Sequence, residues 1–222
     1  MSDEWLDAPW ATAVICCVAD PAADLDSTMA HGWPEWMPLD MAQADPFTRV
    51  RLGRWLLREK TDEPSTIISA GVARRSRLAF LPPQDAVRLM RLAGAWVGAS
   101  GLTKLLRTSD IAAAGAALGE EAVAFARQAV LLPRPTAALM SEIGVSASPS
   151  AAALLHCGAA MFGLAIGAIP QMLRARLGLR RPAPIWKTVV EACRDDTTGE
   201  EAFCAMRRLG RKTMVTWSHW FN

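Results

Sequence analysis

The stretch Ala151–Ile169, AAALLHCGAAMFGLAIGAI, decides how the whole chain is read. It carries no Lys, Arg, Asp or Glu and is about as long as a membrane span. Small residues recur four apart at Ala159, Gly163 and Gly167, a spacing that lets helices approach closely, in a bilayer or in a core. Against a membrane span, most of its residues are Ala and Gly, which contribute little transfer energy, and His156 opposes insertion. Two readings follow: the central buried helix of a bundle, or a transmembrane helix. The weak apolarity favours the first.

Outward from this segment, punctuation residues divide the chain into helices. Ser148-Pro149-Ser150 is a starting signal for the apolar helix, and Pro170 interrupts it before a continuation over 171–177. Pro182 and Pro184 mark a corner, after which 185–194 and 200–209 read as amphipathic helices. The tail from Met214 is aromatic, with Trp217, Trp220 and Phe221. On the other side, Pro82-Pro83 precedes Gln84–Gly98, where Ala86, Leu89, Met90, Ala93, Trp96 and Val97 share one helical face. The interval from Gly98 to Gly101 breaks that pattern, and 102–106 reads as a short helical turn. Ser109 or Asp110 caps a helix over 111–118, and Gly119 ends it. Glu120-Glu121 opens the next helix, which runs to about Leu131, and 136–143 forms another. Asp45-Pro46 signals a helix start, with Phe47, Val50 and Leu57 at helical spacing. Residues 66–80 fit a helix or a strand. Helix is preferred because nothing else in the chain would pair with a strand.

Composition agrees. The chain has 222 residues, 51 % hydrophobic and without tyrosine, enough for one sizeable core. Abundant Ala, Leu and Arg favour helix, and β-branched runs are missing. The expectation is an all-α fold: a compact multi-helix bundle with a central apolar Ala/Gly-rich helix. Residues 1–45, rich in Asp, Pro and Trp, read as a segment packed on or flanking a helical domain over 46–222. The five cysteines are irregularly spaced and the start is acidic, unlike a secretory leader. A reducing cytoplasm is the expected setting.

Charge is segregated. Nine of the 22 acidic residues precede Arg49 and all 24 Lys and Arg lie at or beyond it, so a segment of −9 is followed by a remainder of +11. Such a split supports either intramolecular pairing or docking of oppositely charged partners. The basic clusters are Arg74-Arg75-x-Arg77, Arg174-x-Arg176 with Arg180-Arg181, and Arg207-Arg208 with Arg211-Lys212.

No motif carries catalysis. C-x-x-C, H-E-x-x-H, a phosphate loop and G-x-S-x-G are all missing from the sequence. Adjacent His156 and Cys157 point about 100° apart on a helix and share no ligand easily. Cys157 lies in the most apolar segment, the setting of an inert thiol, and Cys193 and Cys204 lie near acids that raise a thiol pKa. Asp195-Asp196 and Glu200-Glu201 fall on turns and caps and read as solvated. A helix pair near 109–128 suits DNA in outline, but its Ala, Gly and Glu residues suit bases and phosphates poorly. No catalytic, cofactor or metal site is expected. Trp33, Trp36, Trp217, Trp220 and Arg174, Arg176, Arg180, Arg181 are the candidate partner contacts, because Trp and Arg concentrate binding energy at interfaces.

The stretch LAFLPPQDAVRLMRLAGAWVGASGLTKLLRTSDIAAAGAALGEEAVAFARQA, with the later IPQMLRARLGLRRP, resembles the K subunit of the bacterial type III secretion sorting platform, the SctK/YscK family and its plant-pathogen relatives. The resemblance covers roughly residues 78–182 and consists of leucines, alanines and glycines at helical spacing. It implies a cytoplasmic, helical adaptor without cofactor, linking the inner-membrane ring to the pod protein of the sorting platform. A basic DNA-binding regulator and a membrane-associated helical protein are the alternatives.

Overall fold

The computed structural model describes residues 6–20, 45–56, 63–146, 148–178, 180 and 183–214. Regular structure among them is helical throughout, with no strand. The helices are α1 (Ala11–Ala19), α2 (Pro46–Leu56), α3 (Pro64–Val72), α4 (Pro83–Val97), α5 (Ala99–Leu102), α6 (Thr108–Leu118), α7 (Glu120–Ala129), α8 (Ala137–Glu142), α9 (Ala151–Ile166), α10 (Gln171–Gly178), α11 (Ala183–Ala192) and α12 (Gly199–Thr213). A 3-10 turn, Ser76–Phe80, links α3 to α4.

Helix α9 is the axis. It packs against α4, α6, α11, α12 and the 3-10 turn, and its Cys157–Ile166 portion is buried apart from the partly exposed Ala160. Ser150 caps its start by accepting from the Ala153 N–H at 3.2 Å, one of the donors a helix otherwise leaves unsatisfied. It ends earlier than the sequence suggests. Gly167, at φ +78°, turns the chain out of the helix three residues before Pro170. The resulting α9 has 16 residues, and no helix among those described is long and apolar enough to cross a membrane.

Glycines set how closely the helices cross. A methyl group on Gly158 would collide with the Met90 carbonyl oxygen and lie 2.8 Å from the Gly94 nitrogen, so the α4 and α9 backbones touch there. Gly163 faces the Val189 carbonyl of α11 in the same way. Of the spaced glycines, Gly163 marks a helix crossing, whereas Gly167 ends the helix. Gly158 makes the tighter crossing.

The ambiguous segment 66–80 is helical, split between α3 and the 3-10 turn. Asp45 caps α2, accepting from the Thr48 N–H at 3.0 Å. Two details differ from expectation. Helix α5 lies at 99–102, one turn earlier than anticipated, and α6 begins at Thr108, with Arg107 at its N-cap. Ser109 and Asp110 therefore sit in the first turn, where the Asp110 charge complements the helix dipole without a capping bond. Helix α1, within the acidic segment, packs on α3 and the 3-10 turn and adds Trp10, Val14 and Cys17 to the core. The charge boundary near 45 therefore does not separate α1 from the body.

Candidate docking surface

Of the basic clusters, Arg75, Arg77, Arg174, Arg176 and Arg180 are turned onto the body, whereas Arg74, Arg208, Arg211 and Lys212 are exposed. Arginine after arginine is turned onto the carbonyl oxygens at a helix C-terminus, where a cation meets both unsatisfied acceptors and the negative end of the dipole. Arg75 donates from Nε to the Ala165 carbonyl at 3.1 Å and from Nη2 to the Leu164 carbonyl at 2.7 Å, closing α9. Arg77 donates to the carbonyls of Gly71 and Val72 at 3.3 and 3.0 Å, closing α3, with its guanidinium 4.6 Å over the Trp10 ring. Arg88 reaches the Thr213 carbonyl at 3.3 Å while forming a forked pair with Glu121, whose shortest contact is 2.6 Å. That pair joins α4 to α7.

Among the candidate contacts, Arg174 is half-buried and donates to the Cys193 carbonyl beyond α11. Arg176 and Arg180 are buried, and the Arg180 guanidinium lies 5.0 Å over the Trp186 ring. Arg176 on α10 and Arg180 just past its end, both expected among the partner contacts, are buried in the bundle. Arg181, Trp33, Trp36, Trp217 and Trp220 lie outside the described residues. Glu201, expected to be solvated, accepts from the Thr136 backbone N–H at 2.8 Å and from its hydroxyl at 2.6 Å, fastening α12 to the start of α8.

Three of the five thiols, Cys17, Cys157 and Cys193, are buried in the packing. Burial pushes Cys193 up to about 12, against the opposing influence of the Arg174 charge. Burial also raises Cys157. Cys204 is raised by desolvation and then by the Glu200 charge and hydrogen bond. For Cys193 the cause is burial, not the nearby acids the sequence pointed to. A nucleophilic cysteine needs the opposite, a lowered pKa at an exposed position. Two thiols, Cys16 and Cys204, are exposed, so a disulfide-exchange reagent should label two per native chain rapidly. Cys17, Cys157 and Cys193 should react only after denaturation. Rapid labelling of all five would contradict the packing described. Among the described residues, no cluster of His, Cys, Asp and Glu fits a metal ion.

The surface that remains unfilled lies around α5 to α8. A groove of about 800 Å³ opens between the C-terminal end of α4, α6, α8 and the N-terminal end of α9, with Trp96, Leu102, Leu105, Ala114, Met140 and Leu154 among its walls. Large apolar side chains stand out beside it: Leu106 is 93 % exposed, Leu131 is 86 % exposed and Val130 is 45 % exposed. Across α6, a second hollow of about 660 Å³ lies between α6 and α7, walled by Ile111, Ala112, Gly115, Ala116, Val123 and Ala124. Lys104, Arg107, Arg127 and Arg134 are exposed around these hollows, and none forms an ion pair with a described residue. Sequence reading missed this surface because Leu106 and Leu131 fit the same apolar pattern as core leucines. The available signal was that they fall at helix ends, next to Gly- and Pro-marked turns. Compared with known proteins, the chain matches no family model, no curated protein and no solved structure.

Proposed function

We propose that this chain is a non-enzymatic adaptor of a bacterial type III secretion system, joining the cytoplasmic side of the inner-membrane ring to the pod protein of the sorting platform. The observation carrying the adaptor reading is the exposure of Leu106, Val130 and Leu131, next in sequence to or among the residues lining a groove with an apolar floor. Exposed large apolar side chains next to an apolar groove are a feature of interaction sites. Support for the secretion-system setting comes from the resemblance over residues 78–182, which includes α4 to α9 and therefore the groove. The chemistry of the thiols and the arginine caps supports an architectural role over a catalytic one.

Affinity capture of the tagged chain from its native host, at low and high salt, tests the proposal. Ring or pod components are expected at low salt and are expected to be depleted when Leu106 and Leu131 are both replaced by Asp. Recovery of nucleic acid in their place, or of membrane lipid alone, would overturn the adaptor reading in favour of a regulator or a membrane-associated protein.

A further inference from the structure

We propose that the groove between α4, α6, α8 and α9 binds an acidic amphipathic helix of a partner protein, an inference that rests on the adaptor reading and names the chemistry of its partner. The shape comes first. Helix-in-groove recognition needs a concave apolar trough that accepts side chains spaced i, i+3, i+4 and i+7. The 800 Å³ hollow offers an apolar floor of Trp96, Ala114, Met140 and Leu154, and Leu106 and Leu131 protrude beside it as apolar flanks.

Charge then selects the occupant. Arg134 lies on the groove wall, and the loop supplying Leu105 also carries Lys104 and Arg107, against the single acid Asp110. The start of α9 at Ser150 and Ala151 adds the positive end of a helix dipole to the same wall. An incoming helix with Glu or Asp along its polar edges meets this rim favourably. A basic helix does not. Trp96 contributes a buried indole N–H that has no acceptor among the described residues, a donor that a small adjustment of the groove would turn to a bound chain.

A second copy of this chain is a poor occupant. A two-fold contact sets the same patch against itself, which would bring Lys104, Arg107 and Arg134 of one copy against those of the other. A bilayer is a poor fit because the apolar floor is recessed in a groove, out of reach of a flat lipid surface. Nucleic acid is a poor fit because phosphate gains nothing from an apolar floor.

The test uses the full chain and two labelled synthetic helical peptides. Both carry Leu at i, i+3, i+4 and i+7, and one has Glu and the other Lys on the remaining face. In fluorescence anisotropy at low salt, the Glu peptide should bind at least roughly tenfold more tightly than the Lys peptide. Leu106→Asp with Leu131→Asp should weaken it by a similar factor at unchanged helicity, and Lys104→Glu with Arg134→Glu should invert the preference. Equal affinity for the two peptides, no binding of either, or indifference to both variants would overturn the proposal. So would competition for the groove by anionic vesicles or duplex DNA, or self-association of the chain that the leucine variant abolishes. Failure here with continued, leucine-dependent capture of ring or pod components would remove the acidic-helix inference and leave the adaptor reading. Peptide binding without such capture would remove the secretion-system assignment alone.

Discussion

Gly158→Ala is expected to destabilise the protein by about 3 kcal/mol, lowering its unfolding midpoint by roughly 10 °C. The direction is the informative part. In an exposed helix the same replacement stabilises by about 1 kcal/mol, because alanine has the higher helix propensity. At Gly158 the new methyl would collide with the Met90 carbonyl oxygen and lie 2.8 Å from the Gly94 nitrogen, all of it backbone that cannot rotate aside. Helices α4 and α9 would have to separate, loosening the contacts of Met90, Leu154 and Met161, each buried in the shared core. Gly101→Ala is the matched control. A methyl there meets no atom within 4 Å, so its effect should stay within about 0.5 kcal/mol or be slightly stabilising. Thermal melts followed by circular dichroism decide the matter. A Gly158→Ala variant as stable as the Gly101→Ala variant would mean that the two backbones do not touch.

This crossing also shows how much of the fold was legible in the sequence. The apolar run of α9, its Ser150 cap and the proline corners identify a central helix without reference to any structure, because they act within a few residues of themselves. What periodicity cannot supply is which small residue faces which neighbour. Ala159, Gly163 and Gly167 share a four-residue spacing, yet Gly158 makes the closest approach and Gly167 is used as a helix terminator at φ +78°. The arginines follow the same division. A run such as Arg74-Arg75-x-Arg77 looks like a basic patch when read locally. Its use is long-range: Arg75 closes a helix about 90 residues away in sequence, at the Leu164 and Ala165 carbonyls. Part of the positive excess after Arg49 thus sits at helix C-termini, while exposed cations remain at Arg74, along α12 at Arg208, Arg211 and Lys212, and near the grooves at Lys104, Arg107, Arg127 and Arg134. The exposure of the leucines near the groove was illegible for a related reason. Whether Leu106 or Leu131 faces water depends on where α5 and α7 stop, and element ends are the least determined feature of an apolar pattern.

Arg180→Glu is expected to cost about 4 kcal/mol or more, and to abolish partner capture only through loss of the fold. Arg180 is fully buried and its guanidinium lies 5.0 Å over the face of Trp186, itself fully buried and packed edge-on to Phe162 at 6.3 Å. The native cation is attracted by the negative face of the indole. A carboxylate in its place would be repelled by that face and would lose its hydration in the same step. Arg180→Met separates charge from volume. It keeps an unbranched side chain over Trp186 without a charge, so its cost should lie below that of the glutamate, which adds a desolvated carboxylate repelled by the indole face. Urea unfolding of both variants, set beside their capture of ring or pod components, distinguishes a packing residue from a contact residue. If Arg180→Glu unfolds at the wild-type urea concentration yet no longer captures a partner, the side chain belongs to the interface after all. If the glutamate variant unfolds early while the methionine variant is stable and captures normally, Arg180 serves the α10–α11 corner, and the docking surface is the one around α5 to α8.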